Sequence, residues 1–215
     1  MIQIFCACFF IVTLALLPKK LVAEEGYKLP RDFSLEEKIT STSRFFTIEA
    51  LSGKYLGEIR KRYEDELLMF DLFDKAGEQA AVGVKGLVAK GVRVDVSDPE
   101  GSYLGRVEEV VLTFSPAKYR IYGKNGALLA TASLNFWGTK FAVTSEGEID
   151  RGKELAFMSR PLPSAGSTDK WKVFIADDKA IGPNGYLDTR LLVMLGAFQT
   201  DFEREDKADL IWEVD

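Results

Sequence analysis

The stretch LDTRLLVMLGAFQTDF, residues 187–202, contains eight consecutive apolar residues from Leu191 to Phe198. At a period of 3.6, Leu187, Leu191, Met194, Leu195, Phe198 and Phe202 share one helical face, while Leu192, Val193 and Ala197 make the opposite face apolar too. A helix apolar all round must be enclosed, in lipid or in a protein core. Eight residues fall well short of the ~20 needed to cross a bilayer. The sequence therefore predicts a core helix with Leu191, Leu192, Met194, Leu195 and Phe198 at its centre. Asp188 or Thr189 serves as N-cap, and an acid there also suits the helix dipole.

Upstream, from Arg44 onward, one pattern recurs: two short runs of β-formers around a Gly, Asp or Asn turn. RFFTIEA and YLGEIRKR flank Ser52-Gly53; LLMFDLF and QAAVGVKG flank Gly77; VRVDVSD and SYLGRVEEV flank Pro99 to Gly101. KYRIYG and ALLATASLN follow around Asn125-Gly126, the strongest short hairpin signal in the chain. KFAVTSE and ELAFMSR make a fifth hairpin. A sixth begins at WKVFIA and runs through DDK and AIG towards the helix. Six hairpins give about twelve strands. Val92, Val94 and Val96 alternate with Arg93 and Asp95, and Ala130 and Ala132 leave room on an inner face for an element lying close. The expected fold is mainly β (α+β): a closed antiparallel barrel of about twelve strands around a central hydrophobic C-terminal helix, with no free sheet edges.

Residues 1–23 form a separate unit. Ile4 to Leu17 is an apolar run of 14 residues, and Leu21-Val22-Ala23 before Glu24-Glu25 resembles a signal-peptidase site. The expectation is export through a cleaved signal peptide, secreted or periplasmic, with an N-terminal membrane anchor as the alternative. Residues 24–43 read as a polar linker or strap, and 44–215 as the barrel domain. Cleavage removes Cys6 and Cys8 and leaves 26 basic side chains against 33 acidic, a net charge of −7. The chain contains no histidine. Without His or Cys there is no Ser-His-Asp triad, no Cys-His pair and no ordinary zinc site. An acidic balance also argues against a nucleic-acid partner.

Several of these segments resemble the LURP-one-related and phospholipid-scramblase-like families of the tubby C-terminal-like group. The matching features are Asp98, Gly101, Leu104, Gly105 and Val107 in one hairpin, Tyr119 to Tyr122 with Asn125-Gly126 in the next, and the step Trp137, Gly138, Lys140, Phe141. The terminal helix behind Asp188 completes the likeness, which spans roughly 44–202. It implies a twelve-stranded barrel around a hydrophobic helix and a role in lipid binding. The acidic calcium-binding segment of scramblases is not reproduced, because Asp177-Asp178 leads into Lys179, Ile181 and Pro183.

Candidate site residues follow from charge. Arg60-Lys61-Arg62 is the densest basic cluster, and with Lys118 and Arg120 it is the candidate binding site for an anionic headgroup; a solvated strand end balanced by Glu64, Asp65 and Glu66 is the competing reading. Phe136 and Trp137 read as core or barrel rim, or as an aromatic ligand platform. Asp95, Asp98 and Glu100 read as an ordinary turn, with a cation site as the alternative, and Glu146, Glu148 and Asp150 as a charged loop, with a glycosidase-like carboxylate pair as the alternative. No catalytic residue, metal or cofactor is expected. The sequence thus points to a non-catalytic, monomeric module binding a membrane surface, phospholipid or protein partner. A carboxylate-based hydrolase and a scramblase-like lipid-transfer protein without calcium dependence are the alternatives.

Overall fold

The computed structural model describes residues 27–212, apart from 42, 89–90, 111–115, 148–149, 163–169 and 183; beyond residue 203 only the helical backbone is described. The expected signal segment, 1–23, lies outside the described residues. Twelve strands precede one helix. They are β1 (Asp32–Ile39), β2 (Arg44–Ala50), β3 (Tyr55–Glu64), β4 (Leu67–Asp74), β5 (Gln79–Val88) and β6 (Gly91–Ser97), then β7 (Tyr103–Glu109), β8 (Lys118–Gly123), β9 (Leu128–Leu134), β10 (Lys140–Ser145), β11 (Glu154–Ser159) and β12 (Lys170–Ile175). Helix α1 spans Thr189–Trp212. Each strand pairs antiparallel with its sequence neighbours, and β1 pairs with β12, so the sheet closes without an edge.

The first strand corrects the sequence reading. Residues 24–43 were expected to be a linker, yet they supply β1, which closes the barrel between β2 and β12. The expected partner strand of the sixth hairpin does not form. After β12 the described residues before α1 form only an isolated bridge, between Ile181 and Leu187. Twelve is thus the right number reached with one wrong strand. Alternation explains the error: Phe33 and Leu35 are buried, but the next inward position is Glu37, also buried, and the intervening Glu36 and Lys38 make the run look polar.

Up-and-down connectivity sorts the turns onto two mouths. The β2–β3, β4–β5, β6–β7, β8–β9 and β10–β11 turns, with the start of α1, lie at one mouth, hereafter the helix-start mouth. The β1–β2, β3–β4, β5–β6, β7–β8, β9–β10 and β11–β12 connections ring the other, through which α1 leaves. Asp188 caps the helix: its Oδ1 accepts the Arg190 amide hydrogen bond at 2.9 Å, and the Arg190 guanidinium reaches the Ala80 carbonyl at 3.0 Å.

Inside, Leu191 to Leu195, Ala197 and Phe198 are all essentially inaccessible, as are Val94, Val107, Ile121, Phe141 and Trp171 on the walls. The walls come close enough to require missing side chains. A Cβ on Gly196 of the helix would lie 2.7 Å from both Leu35 and Met158. At Gly105 the φ is +148°, and a Cβ would sit 2.2 Å from the Tyr122 carbonyl oxygen, so both the backbone shape and the space exclude an alanine. A 24-residue helix is about 36 Å long, against roughly 20–33 Å for strands of six to ten residues. The helix therefore runs the length of the lumen and emerges beyond it.

Candidate functional site

Strand alternation splits the basic triplet. Gly57 and Ile59 face inward on β3, so Lys61 does too. Its ammonium pairs with Asp201 of α1, whose other oxygen lies 3.8 Å from Lys85 of β5. Arg60 points outward, donates to Glu58 and lies 4.8 Å from the Phe73 ring. Arg62 pairs with Asp71 at 2.5 Å and with Glu64. Each member of the triplet thus has a carboxylate partner. Lys118 and Arg120 lie on β8, separated from β3 by four strands on the shorter way round the ring. The five candidate cations do not form one cluster.

A different grouping forms at the helix-exit mouth. Along the continuous arc β2-β1-β12-β11-β10-β9-β8 stand Arg44 and Lys38 beside the β1–β2 turn, Lys170 at the start of β12, Lys140 at the start of β10 and Lys118 at the start of β8. Glu36 answers two of these, bonding Lys38 at 2.6 Å and Lys170 at 2.8 Å. The two ammonium groups hold its carboxyl below the usual range, chiefly through the Lys170 hydrogen bond. The acids Glu64, Asp65 and Glu66 belong to the β3–β4 turn, off this arc.

Large apolar side chains collect at the same mouth. Phe136 is 82% exposed and Trp137 69%, both in the β9–β10 turn; Leu162, after β11, is 65% exposed and Ile39, ending β1, 47%. These lie on the cationic arc. Tyr63, Leu67 and Leu87 are also exposed, on the remaining arc. The β7–β8 connection falls largely outside the described residues.

The turn bearing Phe136 and Trp137 is rigidly built. The Asn135 carboxamide accepts from the amides of Thr139 and Lys140 at 2.8 and 3.0 Å. Gly138, at φ +67°, closes the turn, and its carbonyl accepts from Nε of buried Arg160 at 2.8 Å. Arg160 in turn pairs with Glu203 of α1 at 2.6 Å and lies 4.3 Å from the Trp171 ring.

The helix-start mouth has the opposite character. A cavity of about 640 Å³ opens there, lined among others by Tyr27, Glu78, Asp98, Glu100, Asp188 and Arg190. Burial, reinforced by Asp74, raises the Tyr27 phenol well above its ordinary value. Asp98 uses one oxygen to accept the Ser102 amide at 2.7 Å, while Asp95 pairs with Arg93 and accepts from Tyr103. Glu146 accepts from Thr131 at 2.7 Å and lies 3.5 Å from Arg151; Glu148 lies outside the described residues. Among the described residues no group of three or more His, Cys, Asp or Glu is arranged to hold a metal ion, and no helix is long and apolar enough to cross a membrane.

The architecture defines a class: a closed twelve-stranded antiparallel barrel wrapped around its own C-terminal helix. No protein-family model matches the chain, and no curated protein matches it. Among solved structures, a protein from Arabidopsis thaliana is similar in fold, with a TM-score of 0.54 at 14% identity, over 82% of this chain and 94% of that one.

Proposed function

We propose that this protein is a non-catalytic barrel of the LURP-one-related or scramblase-like kind that binds anionic membrane surfaces. The observation that carries the reading is the cationic arc at the helix-exit mouth, set against a cavity at the opposite mouth where five acids, Asp74, Glu78, Asp98, Glu100 and Asp188, outnumber Lys124 and Arg190. On a chain of net charge −5, such polarity orients the molecule in the field of an anionic surface. The packed lumen favours surface recognition, because it offers no path for a lipid through the barrel. The carboxylates that a hydrolase would need are committed to turns and ion pairs: Glu146 to Thr131 and Arg151, Asp98 to Ser102.

Each Lys or Arg near an anionic bilayer contributes about 1 kcal/mol, and the contribution fades beyond a Debye length. Replacing Arg44, Lys118 and Lys140 together by Ala should therefore weaken sedimentation with phosphatidylserine-containing vesicles roughly a hundredfold. Arg60→Ala, on the outer wall beside Glu58, should change little. Equal binding by wild type and triple variant at low salt, or none by either, would overturn the membrane reading in favour of a protein partner.

A further inference from the structure

Resting on that membrane reading, we propose that the docking face is the β9–β10 turn together with Ile39 and Leu162 on the same arc. Phe136 and Trp137 enter the headgroup–acyl boundary of an anionic bilayer, with Leu162 and Ile39 beside them. Attachment is then interfacial insertion guided by charge, and not charge alone.

Three observations converge on this occupant. First, Phe136 is the most exposed aromatic among the described residues and Trp137 is level with Tyr63, next in order, and the turn holding them is not loose. Asn135 braces it from within, and Arg160, whose side chain is 1% exposed, grips its carbonyl from below. A rigid turn that holds two large rings in water carries an unfavourable hydration free energy that a cover would relieve. Second, the two rings pack edge to face, 5.4 Å between centroids, which makes them one exposed apolar unit at this mouth. Trp is the side chain best suited to the interface, apolar in body with one N–H for the wet side.

Third, the exposed apolar residues Ile39 and Leu162 lie on successive turns of the same arc, and Lys140 and Lys170 stand at the strand starts immediately below. Apolar tips above a belt of cations is the arrangement an anionic bilayer accepts, tips in the acyl boundary and ammonium groups among phosphates. Lys170 already pairs with Glu36 at 2.8 Å and Lys140 lies 4.9 Å from the Phe157 ring, so the cations are steered and not stranded; an anionic bilayer answers them and the apolar tips at once.

The test uses the full chain and vesicles of phosphatidylcholine with and without phosphatidylserine. Wild type should stay partly bound at physiological salt, with Trp emission quenched by lipids brominated on the acyl chains. Phe136→Ser with Trp137→Ser should reduce partitioning by tenfold or more at that salt, and Trp137→Phe should remove most of the quenching. The control pair Leu51→Ser with Tyr55→Ser, at the other mouth, should bind as wild type does. If the rim variant binds and is quenched like wild type, the insertion face is wrong while membrane binding stands. If wild type binds no vesicle at any salt, or if the rim instead pairs two copies in solution, both fall.

Discussion

The helix has two buried halves of opposite chemistry. From Leu191 to Phe198 every side chain is apolar, and all that have one are at most 1% exposed. Just beyond, Gln199, Thr200 and Asp201 are equally enclosed, at 1, 0 and 5%. The first half is enclosed because water rejects it. The second is enclosed only because the walls answer it atom by atom. Tyr119 donates to Gln199 at 2.5 Å, Trp171 to Thr200 at 3.1 Å, and Lys61 and Lys85 approach Asp201. An apolar cylinder can slide or turn in an apolar tube at little cost. Four named partners on β3, β5, β8 and β12 admit a single depth and rotation. The apolar half thus supplies stability and the polar half supplies register, a division seen where buried polar groups fix the alignment of packed helices.

The most severe way to break this division is to place the chemistry of one half in the other. Leu195→Asp puts a carboxylate in the middle of the apolar half, where no wall group can pair with it. An unpaired buried charge costs more than the 5–15 kcal/mol of a typical domain unless the group protonates. Soluble, monomeric protein with an unchanged thermal midpoint would refute the enclosed helix.

Removing the polar half's charge is less severe but more informative. Asp201→Ala leaves the Lys61 and Lys85 ammonium groups facing each other in the mouth, each only 13–14% exposed. The expected loss is about 3–5 kcal/mol, read from denaturant midpoints. Replacing all three, Lys61→Met, Lys85→Met and Asp201→Leu, removes the desolvation cost together with the attraction, so stability should return to near the wild-type value or above it. If register depends on this triad, the rescued variant should nonetheless show broadened signals for the helix-exit end, with the rest of the barrel unchanged. A single sharp native state would assign register to Tyr119 and Trp171 instead.

How much of this was legible depended on whether the relevant pattern was local. Five hairpins were readable because Gly53, Gly77, Gly101, Gly126 and Gly152 punctuate them, each at positive φ. The helix was readable because eight adjacent residues say one thing. β1 was hidden by Glu36, Glu37 and Lys38, whose partners lie far off in sequence. Lys61 was readable in principle, since continuing the alternation Gly57, Ile59, Lys61 carries it inward, but a run of three basic residues invites reading by composition. Of the helix-exit arc only Phe136, Trp137 and Lys118 stood out in the sequence, and nothing there joined them. Its members are spread from Lys38 to Lys170, and only closure of the β1–β12 seam brings the two ends of that span together.

That seam offers the mildest contrast with the buried triad, an ion pair on the outer wall. Glu36 of β1 stands directly opposite Lys170 of β12 in the strand register and bonds it at 2.8 Å. The Lys170 side chain is 43% exposed, so solvent and salt screen most of the attraction. Cross-strand pairs of this kind contribute under about 1 kcal/mol. Lys170 and Lys38 hold the Glu36 carboxyl below its ordinary value. Its contribution is therefore complete above the unfolded-state pKa, near ~4.3, and disappears as pH falls through the lower folded value. Glu36 in turn raises Lys170, through their hydrogen bond, so on the alkaline side the same contribution is complete below ~10.4 and is lost as pH rises through the raised value. Glu36→Gln should cost less than about 1 kcal/mol at neutral pH. It should also flatten the acid limb of the stability curve, measured by denaturant midpoints between pH ~7 and ~3. Strengthening salt should shrink the difference between the two proteins, whereas the Asp201→Ala loss should persist in the same buffers. If salt instead erases both losses alike, the interior of the helix-exit mouth is wet, and the polar half of the helix aligns the barrel no more firmly than a surface pair does.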